Sequence, residues 1–128
     1  MKKNILVIGM GFVGYSNAIF FAENKKNNVF VYDIDPKKYQ IIKSGKSPIK
    51  DNEIEKLLRT KKIELNFLES LDNIPKEINF IIIAVPTDFD EELNSFNTQI
   101  IETILNQVED FSRENRSKPL IIIRSTVN

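Results

Sequence analysis

The sequence predicts an α/β fold, a doubly wound and mostly parallel sheet with helices on both faces. Short apolar runs alternate with longer segments of helical character along the 128 residues, and this alternation is typical of βαβ units. The apolar runs are continuous, as in strands that are covered on both faces. The 41% hydrophobic content is enough for a single core, so we expect one soluble, globular domain.

Local signals predict five strands and four helices. The strands cover residues 4–8, 29–32, 64–67, 78–85 and 120–123, of which the third is the weakest, the fourth the strongest and the fifth buried. The helices cover residues 12–24, 36–44, 52–59 and 98–111. Asp35 and Asp51 are expected to be N-caps, with Pro36 at a first helical position and Gly45 at a helix end. After Pro86 ends the fourth strand, we expect a polar, acidic loop to residue 97.

The composition excludes several classes of function. The 18 basic residues balance 18 acidic ones without a long basic run, so neither nucleic acid nor an anionic membrane is expected as a partner. The chain has no cysteine and no histidine, which removes disulfides, thiolate metal sites and the commonest general base. We expect no metal site and a cytoplasmic location.

Three of the four glycines follow the first strand within six residues. Gly9, Gly11 and Gly14 have the spacing of a dinucleotide-binding fingerprint at a strand-to-helix junction. Gly9 would allow the sharp turn, Gly11 would let the backbone approach a pyrophosphate, and Gly14 would let the helix pack closely on the sheet. The pyrophosphate would lie at the N-terminus of the helix that begins near Phe12. An ordinary glycine turn is the alternative interpretation.

Asp33 ends the second predicted strand, 19 residues after Gly14. An acid at this position accepts hydrogen bonds from the adenosine ribose. Its charge would also repel a 2′-phosphate, so we expect NAD rather than NADP as the cofactor. A turn or cap role is the alternative, for which Asp35 competes, and we assign Asp35 to the helix cap.

Further candidates lie beyond the carboxyl ends of the strands, where doubly wound sheets bind ligands. Four segments are expected to converge there on one crevice, at residues 9–14, 33–38, 85–87 and 124–126. Lys38 could contact the adenosine side or be solvated. Thr87 and Thr126 could contact the nicotinamide half or a substrate, or make local hydrogen bonds.

Six segments together resemble the NAD-binding domain of UDP-glucose 6-dehydrogenases, over essentially the whole chain. They are Gly-Met-Gly-Phe-Val-Gly at 9–14, Tyr-Asp-Ile-Asp-Pro at 32–36, Ser-Pro-Ile at 47–49, Ala-Val-Pro-Thr-Asp at 84–88, Asn-Ser-Phe-Asn-Thr at 94–98 and Arg-Ser-Thr-Val at 124–127. The segment 86–98 is more similar to the UDP-glucose enzymes than to the UDP-N-acetylmannosamine or GDP-mannose members of the wider family.

This resemblance implies a Rossmann-type fold and an enzyme of polysaccharide biosynthesis that oxidises UDP-glucose to UDP-glucuronate with two NAD. The implied NAD-binding residues are Gly9, Gly11, Phe12, Val13, Gly14, Asp33, Lys38, Val85, Pro86 and Thr87. Thr126 matches the family's catalytic threonine, which lies beside the reacting centre and helps to hold an ordered water. Two positions depart from the family pattern, because Val85 replaces a threonine or other small residue and Asn128 replaces a proline.

The resemblance also implies that residues 1–128 are one domain of a longer polypeptide. In the family, a thioester-forming cysteine, a lysine and an asparagine lie further along, as do a UDP-sugar-binding domain and a central helix that pairs subunits into homodimers. The chain alone is therefore expected to bind NAD weakly and to be inactive. A stand-alone dinucleotide sensor and another nicotinamide dehydrogenase, of the hydroxyacyl or 6-phosphogluconate type, are the alternatives.

Overall fold

A computed structural model describes residues 2–90, 95–97, 99–115, 118–124 and 126–127, of which 86–90, 95–97, 99–100 and 126–127 are described by their backbone alone. The main sheet contains β1 (Lys3–Ile8), β2 (Asn27–Tyr32), β3 (Asn66–Phe67), β4 (Phe80–Ile83) and β7 (Leu120–Ile123). Three further strands are β5 (Pro86–Asp90), β6 (Ser95–Asn97) and β8 (Thr126–Val127). The helices are α1 (Phe12–Glu23), α2 (Pro36–Lys43), α3 (Asn52–Thr60) and α4 (Gln99–Glu114), with a 3₁₀ turn at Leu71–Asn73.

The main sheet has the strand order β3-β2-β1-β4-β7, and all four pairings are parallel. From β1 the chain moves through β2 to β3, then returns to the other side of β1 for β4 and β7. The strand order therefore reverses between β1 and β4, which is where doubly wound sheets bind their ligands. This topology confirms the predicted α/β fold class.

The core consists of two layers, one on each face of the sheet. Ile5 and Val7 of β1 belong to the layer that contains the buried residues of α1. Leu6 and Ile8 belong to the other layer, together with buried residues of α4. Since successive side chains of a strand point to opposite faces, the continuous apolar run of β1 serves both layers, as the sequence predicts.

Two aspartates cap their helices as expected. Asp35 Oδ1 accepts a hydrogen bond from the backbone N–H of Lys37 at 2.9 Å. Asp51 Oδ1 accepts from the N–H groups of Glu53 and Ile54 at 3.0 and 3.1 Å. Each carboxylate thus satisfies donors that have no partner within the first helical turn.

Gly45 ends α2, as predicted. Its φ of +84° lies in the left-handed region, which glycine adopts without a steric penalty. Gly45 N–H donates to the Ile42 carbonyl at 3.0 Å and Lys46 N–H donates to the Ile41 carbonyl at 3.2 Å. This pair of bonds is a Schellman motif, which satisfies carbonyls at the helix end.

The expectation of a loop after the fourth strand is wrong, because residues 86–90 and 95–97 are strands of a second, smaller sheet. Pro86 begins a strand, a position that proline tolerates, and β5 pairs with β6 in antiparallel fashion. The segments Asp-Phe-Asp at 88–90 and Ser-Phe-Asn at 95–97 alternate polar and aromatic residues, which is a period of two. Because most residues of these two segments are polar, the sequence predicts a loop there. The predicted helix start at Thr98 lies outside the described residues.

The prediction of a buried last strand is also wrong. β7 pairs with β4 at the edge of the described main sheet. Leu120 is 58% exposed and Ile123 is 51% exposed. An edge strand has a neighbour on one side only, so its apolar side chains receive less cover than those of a central strand.

Candidate dinucleotide-binding site

The turn that follows β1 is fixed to the strands on both sides of it. Gly9 N–H donates to the Tyr32 carbonyl of β2 at 2.7 Å, and Ala84 N–H donates to the Ile8 carbonyl at 2.8 Å. The carboxyl ends of β2, β1 and β4 therefore lie side by side. They meet at the point where the strand order reverses. This is the place at which the sequence predicts the crevice.

Gly9 and Gly14 are required by the packing of the turn itself. Gly9 has a φ of +99°, and a Cβ there would lie 2.4 Å from the Ala84 carbonyl oxygen. A Cβ on Gly14 would lie 1.7 Å from the Gly9 carbonyl oxygen. Real Cβ atoms do not approach backbone oxygens so closely, so α1 can pack on the turn only without side chains at these two positions.

Gly11 differs from its two neighbours in the motif. Its φ of −77° and ψ of −164° are available to any residue. A Cβ on Gly11 would have no atom of the described residues within 4 Å. Neither backbone conformation nor internal packing therefore accounts for a glycine here, whereas a ligand that needs close access to the backbone would.

Gly11 is also the N-cap of α1, and among the described residues no side chain caps this helix end. Phe12, at the first helical position, is 60% exposed, and Val13 is half-buried. The first turn carries no acid. The N–H groups and the positive end of the helix dipole are thus left to an anion, which is the arrangement that binds phosphate groups in many nucleotide sites.

Asp33 lies immediately after β2 and faces the glycine turn. Its Oδ2 accepts a hydrogen bond from Met10 N–H at 2.6 Å, and its Oδ1 accepts from Asp35 N–H at 2.8 Å. A carboxylate has about four acceptor sites, so both oxygens keep capacity for hydroxyl donors of a ligand. The position agrees with the predicted ribose role, which stays a prediction.

Lys38 lies in the first turn of α2 and also faces the glycine turn. Its Nζ is 3.5 Å from the Met10 carbonyl oxygen. The side chain is half-buried, so Lys38 is not the fully solvated residue of the alternative interpretation. Its contact with an adenosine stays a prediction.

The other side of the expected crevice would be formed by β4, β7 and the residues that follow them. Val85 is buried, and its Cγ1 would lie 3.2 Å from a Cβ on Gly9. Arg124 N–H donates to the Ile83 carbonyl at 2.7 Å, which continues the pairing of β4 with β7. Beyond a short break, β5 pairs with β8 in parallel, with Pro86 opposite Thr126 and Thr87 opposite Val127. These backbones are therefore neighbours, while the side chains of Pro86, Thr87 and Thr126 lie outside the described part, as do Ser125 and Asn128.

Two residues of this region were missed by sequence reasoning. Met10 is 1% exposed, and its backbone N–H and C=O are contacted by Asp33 and Lys38, respectively. Tyr15 of α1 is also 1% exposed. Burial raises the pKa of Tyr15 to about 12, although a hydrogen bond with Ser47 lowers it in part. The burial of Tyr15 follows from an apolar neighbourhood that only the tertiary structure assembles.

The described residues contain no cluster of three or more His, Cys, Asp or Glu side chains suited to a metal ion. Over the same part of the chain, none of the helices has both the length and the apolar character needed to span a membrane. The observed features define a class of protein, the dinucleotide-binding α/β domains. These features are the strand order, the glycine turn, the helix N-terminus without a side-chain cap and the acid that follows β2.

Comparison with known proteins narrows that class. The chain belongs to the UDP-glucose/GDP-mannose dehydrogenase family and matches its NAD binding domain over residues 3–128. It is 41% identical over 123 residues to UDP-glucose 6-dehydrogenase of Campylobacter jejuni and 37% identical over 125 residues to that of Streptococcus pneumoniae. Each match covers 96% of this chain and 30% of the relative. The chain therefore spans less than a third of these relatives.

Solved structures agree with this assignment. A ternary complex of GDP-mannose dehydrogenase from Pseudomonas aeruginosa matches with a TM-score of 0.80 and 25% identity. The match covers 99% of this chain and 29% of the solved one. The predicted family, Rossmann-type fold and NAD cofactor are thus confirmed.

Proposed function

We propose that this chain is the NAD-binding domain of a longer enzyme that oxidises UDP-glucose to UDP-glucuronate with two NAD. Two relatives at 41% and 37% identity are UDP-glucose 6-dehydrogenases, and each is more than three times as long as the match. The proposed partners are NAD and UDP-glucose, with a homodimer as the assembly of the whole protein and the cytoplasm as its location.

The open space at Gly11 is the observation that carries the NAD-binding part of this proposal, while the substrate rests on the relatives. Gly9 and Gly14 would be needed in any turn of this shape, because a Cβ at either position would clash with backbone. The absence of a side chain at Gly11 serves no contact among the described residues. It leaves the start of α1 accessible to a group as bulky and as negative as a pyrophosphate.

The proposed arrangement distributes NAD along the crevice. The N–H groups of Gly11, Phe12 and Val13 would hold the pyrophosphate, and Asp33 would accept from the adenosine ribose. Thr87 and Thr126 would lie towards the nicotinamide, since β5 and β8 continue the strands on the other side of the reversal. NAD supplies the hydride acceptor, while these residues bind and orient it.

Calorimetric titration of the chain with NADH and with NADPH tests the cofactor site. We expect NADH to bind and NADPH to bind at least about tenfold more weakly, because a 2′-phosphate beside the Asp33 carboxylate adds repulsion of about 1.4 kcal/mol or more. A folded sample that binds neither dinucleotide, or that prefers NADPH, would contradict the assignment.

A kinetic assay of the full-length protein tests the reaction. With UDP-glucose as the only sugar nucleotide, two NADH should form for each UDP-glucose consumed, because an alcohol is oxidised to an acid in two steps of two electrons each. Oxidation of GDP-mannose or UDP-N-acetylmannosamine instead would show a different substrate within the same family. Binding of NADH without turnover of any of the three would favour the sensor alternative.

A further inference from the structure

Met10, in the middle of the glycine turn, is contacted at both its backbone N–H and its C=O, which belong to the two peptide groups on either side of its Cα. Its N–H donates to Asp33 Oδ2 at 2.6 Å, which is short for a bond from nitrogen. Its carbonyl oxygen is 3.5 Å from Lys38 Nζ, longer than a usual hydrogen bond, so this is the weaker of the two contacts. We call this pair of contacts the Met10 clamp.

Both halves of the clamp come from one short segment. The second oxygen of Asp33 accepts from Asp35 N–H at 2.8 Å, and Lys38 N–H donates to the Asp35 carbonyl at 3.1 Å. Asp33 and Lys38 are therefore fixed relative to each other by the start of α2. The Asp33 carboxylate joins that helix to the glycine turn, using one oxygen for each.

We propose that Asp33 and Lys38 are positioning residues, which hold the two peptide groups that flank the Met10 Cα and thereby fix the N–H groups of the next residues before any ligand binds. The inference rests on the proposed function of this turn as a pyrophosphate site. It assigns Asp33 and Lys38 a second task, which they perform in the ligand-free protein as well as in the complex.

The reason for such a clamp is the flexibility of the turn. Met10 lies between Gly9 and Gly11, and glycine has the largest conformational freedom of all residues. A turn that had to be ordered by its ligand would lose affinity, because ordering opposes binding. Holding the two peptide groups that flank the Met10 Cα restricts the φ and ψ rotations of Met10 between them, so that the following N–H groups are already directed at the crevice.

A carboxylate is the side chain that suits this position. Both oxygens of Asp33 face backbone N–H donors, and an ionised carboxylate is an acceptor only. An asparagine could accept from one donor, but its NH₂ group would then face the other. Asp33→Asn must therefore lose one of the two bonds, whichever way its amide is oriented.

Amide hydrogen exchange of the ligand-free chain, followed by NMR, tests the clamp directly. The variants are Asp33→Asn and Lys38→Met. The matched controls, Asp35→Asn and Lys37→Met, remove the same charges close by and leave the clamp atoms in place. We expect whichever of Met10 N–H and Asp35 N–H faces the new NH₂ group to exchange at least about tenfold faster in Asp33→Asn, because it loses its bond. The other N–H should also exchange faster, because its acceptor is no longer charged. Lys38→Met should shift the Met10 and Gly11 amide resonances, and both controls should leave them near their native positions.

Titration of the same four variants with NADH completes the test. Lys38→Met should weaken NADH binding about five- to tenfold more than Lys37→Met, which loses the same charge. A role in ligand contact alone would leave the ligand-free Met10 and Gly11 amides unchanged in both clamp variants, and that result would overturn the proposal. Because the exchange measurement needs no ligand, it decides the clamp even if the native chain fails to bind NADH, an outcome that counts against the proposed function alone.

Discussion

The apolar run of β1, Ile5–Ile8, and the strand β7 have nearly the same composition and opposite surroundings. The residues of β1 from Ile5 to Ile8 are at most 5% exposed, whereas Leu120 and Ile123 of β7 are more than half exposed. β1 lies between β2 and β4, while β7 is at the edge of the described main sheet. An apolar run therefore specifies a strand, and the strand order decides how well it is covered. The glycine turn follows the strand that is fixed from both sides, which favours a precisely held binding loop.

Among the substitutions that introduce no charge, adding one carbon atom where α1 packs on the end of β1 should have the largest effect on stability. In Gly14→Ala the new Cβ would meet the Gly9 carbonyl oxygen, so we expect a loss of about 3 kcal/mol or more in the free energy of unfolding. Gly11→Ala, in open space, should lose less than about 1 kcal/mol as a poorer N-cap. Urea unfolding of both variants would show the difference, and equal losses would contradict the packing described for the turn.

Truncating one apolar side chain in each strand compares β1 and β7 directly. Leu6 is fully buried, so Leu6→Ala should lower the free energy of unfolding by about 3 kcal/mol. Ile123→Ala should lower it by about 1 kcal/mol or less, because half of that side chain is already in water. Chemical denaturation measures both values. Similar losses in the two variants would mean that β7 is covered as thoroughly as β1.

Alkaline pH should lower the free energy of unfolding, because Tyr15 is buried in the core layer between α1 and β1. The pKa of Tyr15 is about 12 in the folded chain, above its ordinary value of 10.0. Folding thus favours the neutral phenol, so this contribution is complete below pH 10 and is lost as pH rises from 10 to 12. The loss amounts to about 2 kcal/mol. Tyr15→Phe should lack this part of the pH dependence when unfolding is measured from pH 8 to pH 12, and an unchanged profile would contradict the burial of the hydroxyl.

The smallest effect is expected at the most exposed position of β7. Leu120 is 58% exposed, so Leu120→Lys should change the free energy of unfolding by no more than about 0.5 kcal/mol. The same substitution at Leu6 should prevent folding, because a charge would be buried without a partner. Thermal unfolding followed by circular dichroism distinguishes the two. A large loss at position 120 would show that the edge is covered.

Much of this comparison could be anticipated from the sequence, because it depends on local chemistry. Several elements are determined by a few neighbouring residues. Asp35 and Asp51 set the starts of two helices, Gly45 sets a helix end, and the apolar run sets β1. The pairing of β5 with β6 was not predicted, because these segments are short and rich in polar residues. An alternation with a period of two is hard to distinguish from a loop in such segments. The exposure of β7 was missed because strand order is a property of the whole chain.

The candidate site divides in the same way. The motif of Gly9, Gly11 and Gly14 and the distance to Asp33 predict where a dinucleotide would bind. Spacing alone gives all three glycines equal weight, and only the tertiary structure shows that two serve packing while Gly11 does not. The Met10 clamp also depends on long-range contacts. Asp33 is 23 positions and Lys38 is 28 positions from Met10 in the sequence, so no local pattern reveals these contacts.

The most direct test of the central claim is a titration of Gly11→Ser with NADH beside the native chain. Serine is as good an N-cap as glycine or better, and the new side chain enters a space with no described atom within 4 Å. The melting temperature should therefore stay within about 2 °C of the native value. NADH affinity should fall by at least about tenfold, because the side chain occupies the place of the pyrophosphate and its oxygen competes for the same N–H groups. A folded Gly11→Ser variant that binds NADH as tightly as the native chain would contradict the claim that Gly11 is kept open for the cofactor.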